Sequence, residues 1–146
     1  MRVLLQRVNQ ASVTVDNKIV GQINRGLLLL VGFGEGDDES KLKPMATKIS
    51  EMRIFEDEKS KFNHSVLDIK GEILCVPQFT LYANTSKGRR PDFFGALKPD
   101  LAAKLFDEFT KVLQATGVSK MATGVFGAYM KVNLENDGPV TIMVEV

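Results

Sequence analysis

Apolar and polar positions change their period along this chain, and the changes mark its elements. Residues 1–8 are apolar and β-branched, the pattern of a buried strand. Ser12, Thr14 and Asp16 alternate with Val13 and Val15, so residues 11–16 carry one apolar face. With residues 18–23 beyond Asp16-Asn17 they predict a hairpin. After Gly26, Leu27 to Phe33 is a near-continuous apolar run, as in a central strand covered on both faces. Gly34 to Asp38 reads as a loop, and no Gly-Lys-Ser/Thr follows it, so it is not a phosphate loop. A helix capped by Asp38 or Ser40 is expected to run to about Met52. Its body should begin near Lys43, because Pro44 is tolerated only in a first turn.

Arg53 to Phe55 reads as a short strand, and Glu56 to Asn63 is polar and turn-like. Ser65 to Ile69, Lys70-Gly71 and Glu72 to Tyr82 predict a second hairpin. Ala83 to Ala96 holds Gly88, Pro91, Gly95 and a Phe-Phe pair, a loop too long to be a mere connection. Leu101, Leu105, Phe109, Val112 and Leu113 have helical spacing within residues 99–116, and Gly117 closes that segment. Residues 120–126, 128–134 and 140–146 supply the closing strands. No linker, repeat or low-complexity stretch interrupts the pattern. The expectation is one α/β domain over residues 1–146, with an antiparallel β-sandwich or barrel-like core and two main helices packed outside.

Composition narrows the possibilities. With 146 residues, 44% of them hydrophobic and 25% charged, the chain can bury a substantial core and reads as an ordinary soluble domain. Charges interrupt every apolar run, so no membrane span is expected. Met1 to Leu5 is too short for a secretory signal, and the cytoplasm is the expected location. Cys75 is the sole cysteine, which excludes an intramolecular disulfide framework; its apolar strand makes it a small core residue. A net charge of +1 gives no global nucleic-acid signature. Lys87, Arg89 and Arg90 form the one dense basic patch, either a solvated loop or a local RNA contact.

Familiar hydrolytic chemistries lack their parts. His64 is the only histidine, and it lies in a polar stretch between Asn63 and Ser65. A Ser-His-Asp or Cys-His mechanism would depend on it. One histidine and one cysteine make no zinc motif, so neither a metal nor a cofactor is expected. Glu51, Glu56, Asp57 and Glu58 read as solvated carboxylates.

Seven short segments carry a family likeness: Leu5 to Val8, Ala11 to Val13, Arg53 to Phe55, Gln78 to Leu81, Arg90-Pro91, Gly124 to Met130, and Asn136 to Thr141. Each is weak alone; their order and spacing are specific. Over essentially its whole length the chain resembles the D-aminoacyl-tRNA deacylase (D-tyrosyl-tRNA deacylase) family. The resemblance implies hydrolysis of the ester between a D-amino acid, or glycine, and the 3′ end of tRNA. It implies chiral proofreading in translation, with aminoacyl-tRNA as partner and a ribose hydroxyl of the RNA taking part in catalysis. It also implies a homodimer with active sites at the subunit interface.

The same resemblance places Gln78, Phe79 and Thr80 at the catalytic centre. Thr80 is expected there as an orienting group, since no base adjoins it to make it a nucleophile. From the residues alone the better reading is an ordinary β-branched strand residue. In a strand Gln78 and Thr80 would share one face, with Phe79 turned to the core. The N–H groups of Phe79 and Thr80 are candidate donors to an oxyanion.

Gly138-Pro139 is either an ordinary turn after Asn136-Asp137 or a rigid main-chain corner. The resemblance implies a cis Gly-Pro corner that enters the partner's pocket and excludes L side chains, with Arg7 bracing it. It places Phe126, Gly127, Ala128 and Met130 at the pocket for the terminal adenosine. One departure is Pro77, where the family usually has Ser. Relatives with a Pro-Gln motif include deacylases of mischarged L-alanyl-tRNA, which makes that activity one alternative and a non-catalytic RNA-binding module another. Phe79 and the Asn-Asp-Gly-Pro-Val-Thr segment match the D-specific branch.

Overall fold

The computed structural model describes residues 1–146. Strand β1 (Arg2–Val15) turns through Asp16 and Asn17, both left-handed at φ 48° and 62°, into β2 (Lys18–Ile23). Two consecutive positive φ values match the twist of a tight hairpin. Strand β3 (Gly26–Gly32) follows. Residues 11–15 of β1 pair with β2 and residues 2–8 pair with β3, so β2 and β3 lie end to end along one edge of β1. The other edge is taken by β8 (Lys131–Glu145). Strand β6 (Glu72–Pro77) joins β3 in parallel, and β7 (Lys120–Thr123) joins β6 in parallel. The sheet curls until β2 meets β7, where a Cβ added to Gly21 would stand 2.7 Å from the carbonyl oxygen of Thr123. A residue without a side chain at that point lets the barrel nearly close.

Helices α1 (Leu42–Glu51) and α2 (Pro99–Gln114) cover one face of this barrel-like sheet. Val3, Leu5, Leu27, Leu29, Ile73 and Cys75 meet Met45, Ile49, Phe106 and Phe109 in the main core. Phe55 and Phe109 are fully enclosed there, each contributing about 1.5–3 kcal/mol of apolar burial. The opposite face of the strands, with Val8, Val13, Leu28, Leu74 and Val76, forms a second cluster inside the barrel. Irregular pairing between Val8 and Gln10 shifts the phase of β1, so Val8 and Val13 can both face that interior.

The barrel-like core with two helices outside agrees with expectation; the sheet is mixed, because the parallel pairings of β6 join segments distant in sequence. Three local expectations fail. Ser65 to Ile69 is not a strand but a helical turn, closed by Asp68 accepting from Ser65 N at 2.7 Å and by Gly71 N donating to Val66 O at 2.8 Å. Residues 55–56 and 62–64 form a small separate hairpin, β4 (Phe55–Glu56) with β5 (Phe62–His64), across a stretch expected to be turn alone. Residues 128–134 and 140–146 do not form two strands joined by a turn, since β8 runs unbroken from Lys131 to Glu145.

Candidate active site

Strands β3, β6 and β7 run parallel, so all three release their following segments at the same end of the sheet. Ligands commonly bind outside the carboxyl ends of parallel strands for this reason. A cavity of about 700 Å³ opens there. Its floor is Val31 to Phe33 and Val76 to Phe79; its sides are Phe93, Phe94 and Ala96 to Pro99, and Phe126 to Met130. Most of this lining is apolar, and Lys98 is the only charged residue in it. Phe94 and Tyr129 are 89% and 86% exposed, so two aromatic rings stand free at the rim.

The chain from Pro77 into this cavity leaves the sheet. Gln78 N still donates to Val31 O at 2.7 Å on the β3 side. Because N–H groups alternate along a strand, the nitrogen of Pro77 faces the β7 side, at the step that follows the bond from Gly124 N to Cys75 O at 2.8 Å. Having no N–H to donate, proline ends the β6–β7 ladder there. Phe79–Tyr82 then winds into one 3-10 turn. This corrects the strand expectation. Phe79 does not enter the core; it is 56% exposed, with its ring edge-on to Phe93 at 5.0 Å between centroids. Gln78 and Thr80 nevertheless meet, through the turn, with Gln78 Nε2 donating to Thr80 Oγ1. The N–H groups of Phe79 and Thr80 open the turn and donate to no protein acceptor, as expected for the first amides of a helical turn.

A buried ionic cluster holds the far end of the turn. Tyr82 Oη donates to Asp37 Oδ2 at 3.2 Å, and Asp37 also accepts from Gly34 N at 2.6 Å, Lys41 Nζ at 2.7 Å and the Met1 ammonium at 2.6 Å. Burial opposes ionisation of Asp37, but the hydrogen bonds from Lys41, the ammonium and Gly34 outweigh it and hold the carboxyl below its ordinary range. Burial, then the neighbouring Asp37 charge, pushes the Tyr82 hydroxyl up to about 12. The Arg2 guanidinium lies 4.6 Å from the centre of the Tyr82 ring and donates to Leu81 O at 3.0 Å. Cys75 is fully buried beneath this region, and burial raises its thiol pKa so that it stays protonated and inert.

Gly138 and Pro139 lie elsewhere in this chain. Gln6 pairs with Thr141 and Val8 with Asn136, so Arg7 alone faces four residues, Asp137 to Val140. The excess length leaves the sheet as a bulge with a cis Gly138-Pro139 peptide at its tip, exposed to solvent. Two side chains fix its base. Arg7, only 4% exposed, donates through Nε to Asp137 O at 3.0 Å and through Nη1 to Ile54 O at 2.6 Å. Asn136 accepts from Val140 N at 2.7 Å and donates to Thr141 Oγ1 at 2.9 Å. Gly138 has φ +133°, and an added Cβ would stand 2.8 Å from Val140 Cγ2 and 3.1 Å from Arg7 Nη2. No other residue type fits that position without displacing its neighbours.

Of the residues singled out in the sequence, Gln78, Phe79, Phe126, Gly127, Ala128 and Met130 come together on the cavity wall. Thr80 adjoins it through Gln78. Arg7, Gly138 and Pro139 form a second group that lines no part of the same chain's cavity. Phe126 packs its ring on Phe106 of α2 at 6.3 Å, so the free aromatic faces at the rim are those of Phe94 and Tyr129. These two, with Phe93 and Lys98, were missed by sequence reasoning. The Phe93-Phe94 pair inside a polar loop was the available signal. His64 stands exposed on β5, away from the cavity lining.

Comparison with known proteins follows the same lines. The profile of a family described as D-Tyr-tRNA(Tyr) deacylase matches residues 4–145. A Bacillus cereus protein named D-aminoacyl-tRNA deacylase is 55% identical over 145 residues, covering 99% of each chain. One of the same name from Clostridium perfringens is 53% identical, covering 99% of this chain and 97% of its own. Among solved structures, a protein named c-Myc DNA Unwinding Element Binding Protein superposes with a TM-score of 0.94 at 42% identity, over 100% of this chain and 99% of the other. A probable eukaryotic D-amino acid tRNA deacylase superposes with a TM-score of 0.86 over 99% and 98% of the two chains; at 22% identity that likeness speaks for the fold alone.

Proposed function

This chain belongs to the D-Tyr-tRNA(Tyr) deacylase family, and on that premise we propose how its site works. It is a D-aminoacyl-tRNA deacylase, a hydrolase of the carboxylic ester that joins a D-amino acid to tRNA. One observation carries the mechanistic reading: two amide N–H groups, of Phe79 and Thr80, stand unengaged beside an apolar cavity.

The terminal adenosine of the tRNA enters the cavity beside Phe126 to Met130, where Tyr129 and Phe94 offer free aromatic faces for stacking. The ester carbonyl then lies over the turn. Water adds to the carbonyl carbon, the oxygen of that carbonyl takes the developing negative charge, and the Phe79 and Thr80 amides stabilise it. The ester bond to the ribose oxygen breaks, that oxygen receives the proton, and free amino acid and tRNA leave. The adjacent free hydroxyl of the terminal ribose orients the water and relays the proton, since the cavity lining offers no carboxylate or imidazole for the task. Thr80 orients rather than attacks. Its oxygen already accepts from Gln78 Nε2, which ties up a lone pair and leaves its proton to point at water or substrate.

Two copies of the chain complete the site. The exposed Gly138-Pro139 corner of one protomer enters the cavity of its partner and occupies the space an L side chain would need. Exposed Leu134 and Met143 on β8, the strand that carries the corner, support an interface on that side. A wall made of main chain rejects by handedness, not side-chain identity, so varied D-amino acids and glycine are accepted. No helix of the chain is long and apolar enough to cross a membrane, and the proofreading role belongs in the cytoplasm.

Purified protein offered D-tyrosyl-, glycyl-, L-tyrosyl- and L-alanyl-tRNA should deacylate the first two and spare the others. D-tyrosyl-tRNA whose terminal ribose lacks its free vicinal hydroxyl should lose turnover by orders of magnitude while still binding. Undiminished hydrolysis of that substrate would overturn the substrate-assisted step, and rapid hydrolysis of L-tyrosyl-tRNA would overturn the corner.

A further inference from the structure

Between the turn that carries Thr80 and the cavity wall at Phe93, the chain leaves the body of the protein and returns to it. Its neck is closed by Asn84 and Asp92: Asn84 N donates to Asp92 O at 2.8 Å, Asp92 N to Asn84 O at 3.1 Å, and Asn84 Nδ2 to the Asp92 carboxylate at 3.0 Å. Ser86 N donates to Asn84 Oδ1 at 3.0 Å, which stiffens the ascending side. The enclosed residues 85–91 are Thr-Ser-Lys-Gly-Arg-Arg-Pro, with no acid among them, and all are exposed. Lys87, Arg89 and Arg90 take part in none of the ion pairs of the fold. The nearest acid in sequence, Asp92, is engaged by Asn84 and, at 3.4 Å, by Phe94 N.

Three unneutralised cations on one short loop make a local field that the net charge of +1 conceals. The loop is also fixed to the site. It begins beyond Tyr82, where the 3-10 turn ends, and closes just before Phe93, whose ring meets that of Phe79 at 5.0 Å. A polyanion seated by one end in the cavity therefore has this loop beside it.

We propose that the 85–91 loop grips the sugar–phosphate backbone of the tRNA acceptor stem, the duplex that continues from the 3′ end. The proposal rests on the cavity's being the seat of that 3′ end. Guanidinium groups match phosphate oxygens in two-pronged geometry, and phosphate contacts hold position without reading sequence. The loop thus supplies affinity common to all tRNAs, whereas the cavity and corner judge the amino acid.

The test uses the full-length protein and a triple variant, Lys87→Gln with Arg89→Gln and Arg90→Gln, on two substrates. One is D-tyrosyl-tRNA and the other is the D-tyrosyl ester of adenosine, which has no stem. On the tRNA, KM should rise about tenfold at physiological salt with kcat unchanged, and the slope of log(kcat/KM) against log[salt] should flatten by about 2.7, as expected for the loss of three duplex phosphate contacts. On the adenosine ester the variant should match the parent. Unchanged KM and salt slope on the tRNA would overturn the proposal, as would an equal loss on both substrates, which would make the loop part of the cavity instead. Parent turnover of the adenosine ester checks the seat of the 3′ end separately, so failure there sinks that reading and this proposal together, whereas failure confined to the tRNA comparison sinks only the loop.

Discussion

Replacing Arg7 with Met tests how the corner is held. Methionine keeps much of the apolar stem and removes the guanidinium. The loss is the pair of charge-assisted bonds to Asp137 O, at 3.0 Å, and Ile54 O, at 2.6 Å. Bonds to a charged group contribute about 1.5–3 kcal/mol each, and shortfalls in additivity bring the sum to about 3 kcal/mol. The ion pairs add little: Asp137 lies 3.2 Å away but is 37% exposed, and Glu56 lies 4.0 Å away at 45% exposure, so solvent screens both. For a chain of this size the stability change corresponds to a fall in Tm of about 10 °C. Thermal and urea melts at matched protein concentration measure it, since assembly would otherwise confound the comparison. Asp137→Asn is the control, because it keeps the main-chain acceptor and should cost less than about 1 kcal/mol. Deacylation of D- and L-tyrosyl-tRNA gives the functional half of the test: Arg7→Met should lower the D-over-L preference at least tenfold, and Asp137→Asn should leave it nearly intact. Equal destabilisation by the two variants would show that the clamp is ionic and not a grip on carbonyl oxygens, refuting the reasoning.

Gly138→Ala should cost about 1–3 kcal/mol, from a strained φ and a Cβ 2.8 Å from Val140 Cγ2, and should cut deacylation at least a hundredfold; wild-type melting and kinetics would show that the bulge is pliable. Thr80→Ala should retain a measurable fraction of kcat, on the order of a tenth to a hundredth, in single-turnover deacylation; complete inactivity with the fold intact would make Thr80 a nucleophile. Asp37 has a folded pKa below the ordinary 3.8, so its stabilising share is complete well above 3.8 and disappears as pH falls through the folded value; Asp37→Asn should flatten the acid limb of stability against pH in urea melts, and an unchanged limb would deny the cluster its role. Tyr82 has the opposite linkage: its neutral form is favoured in the fold, so stability should fall as pH climbs from 10 to 12, and Tyr82→Phe should remove that loss.

Local chemistry made part of the fold legible. Asp16-Asn17 marked the first hairpin because that turn needs two residues able to take positive φ. The apolar run of β3 and the spacing in α2 were legible because burial on two faces, or on one helical face, writes itself directly into residue order. Pairings between distant segments were not. Val66, Leu67 and Ile69 are apolar in a strand-like spacing, yet β6 finds its neighbour in β3 and leaves them to a helical turn. Asn136 to Pro139 has the composition of a turn, but β1 is long enough to hold β8 on both sides of it, so the turn residues become a bulge within one strand. At the site, Gln78 and Thr80 were expected to share a strand face; a 3-10 turn brings them together instead and sends Phe79 outward. The Phe-Phe pair in a polar loop hinted at Phe94, but the free ring of Tyr129 could not be foreseen, because exposure depends on which neighbours arrive from elsewhere.

The unengaged amides at 79 and 80 bear on how this site can vary and how it must be probed. Every amino acid except proline brings the same N–H, so a scan that trims side chains one at a time would pass over the donors proposed to hold the oxyanion. Side chains there could drift while both proposed donors stay in place, although at position 80 the orienting hydroxyl would be lost. Exchanging a single backbone nitrogen for oxygen at 79 or 80, by chemical synthesis or codon reassignment, removes the donor and nothing else.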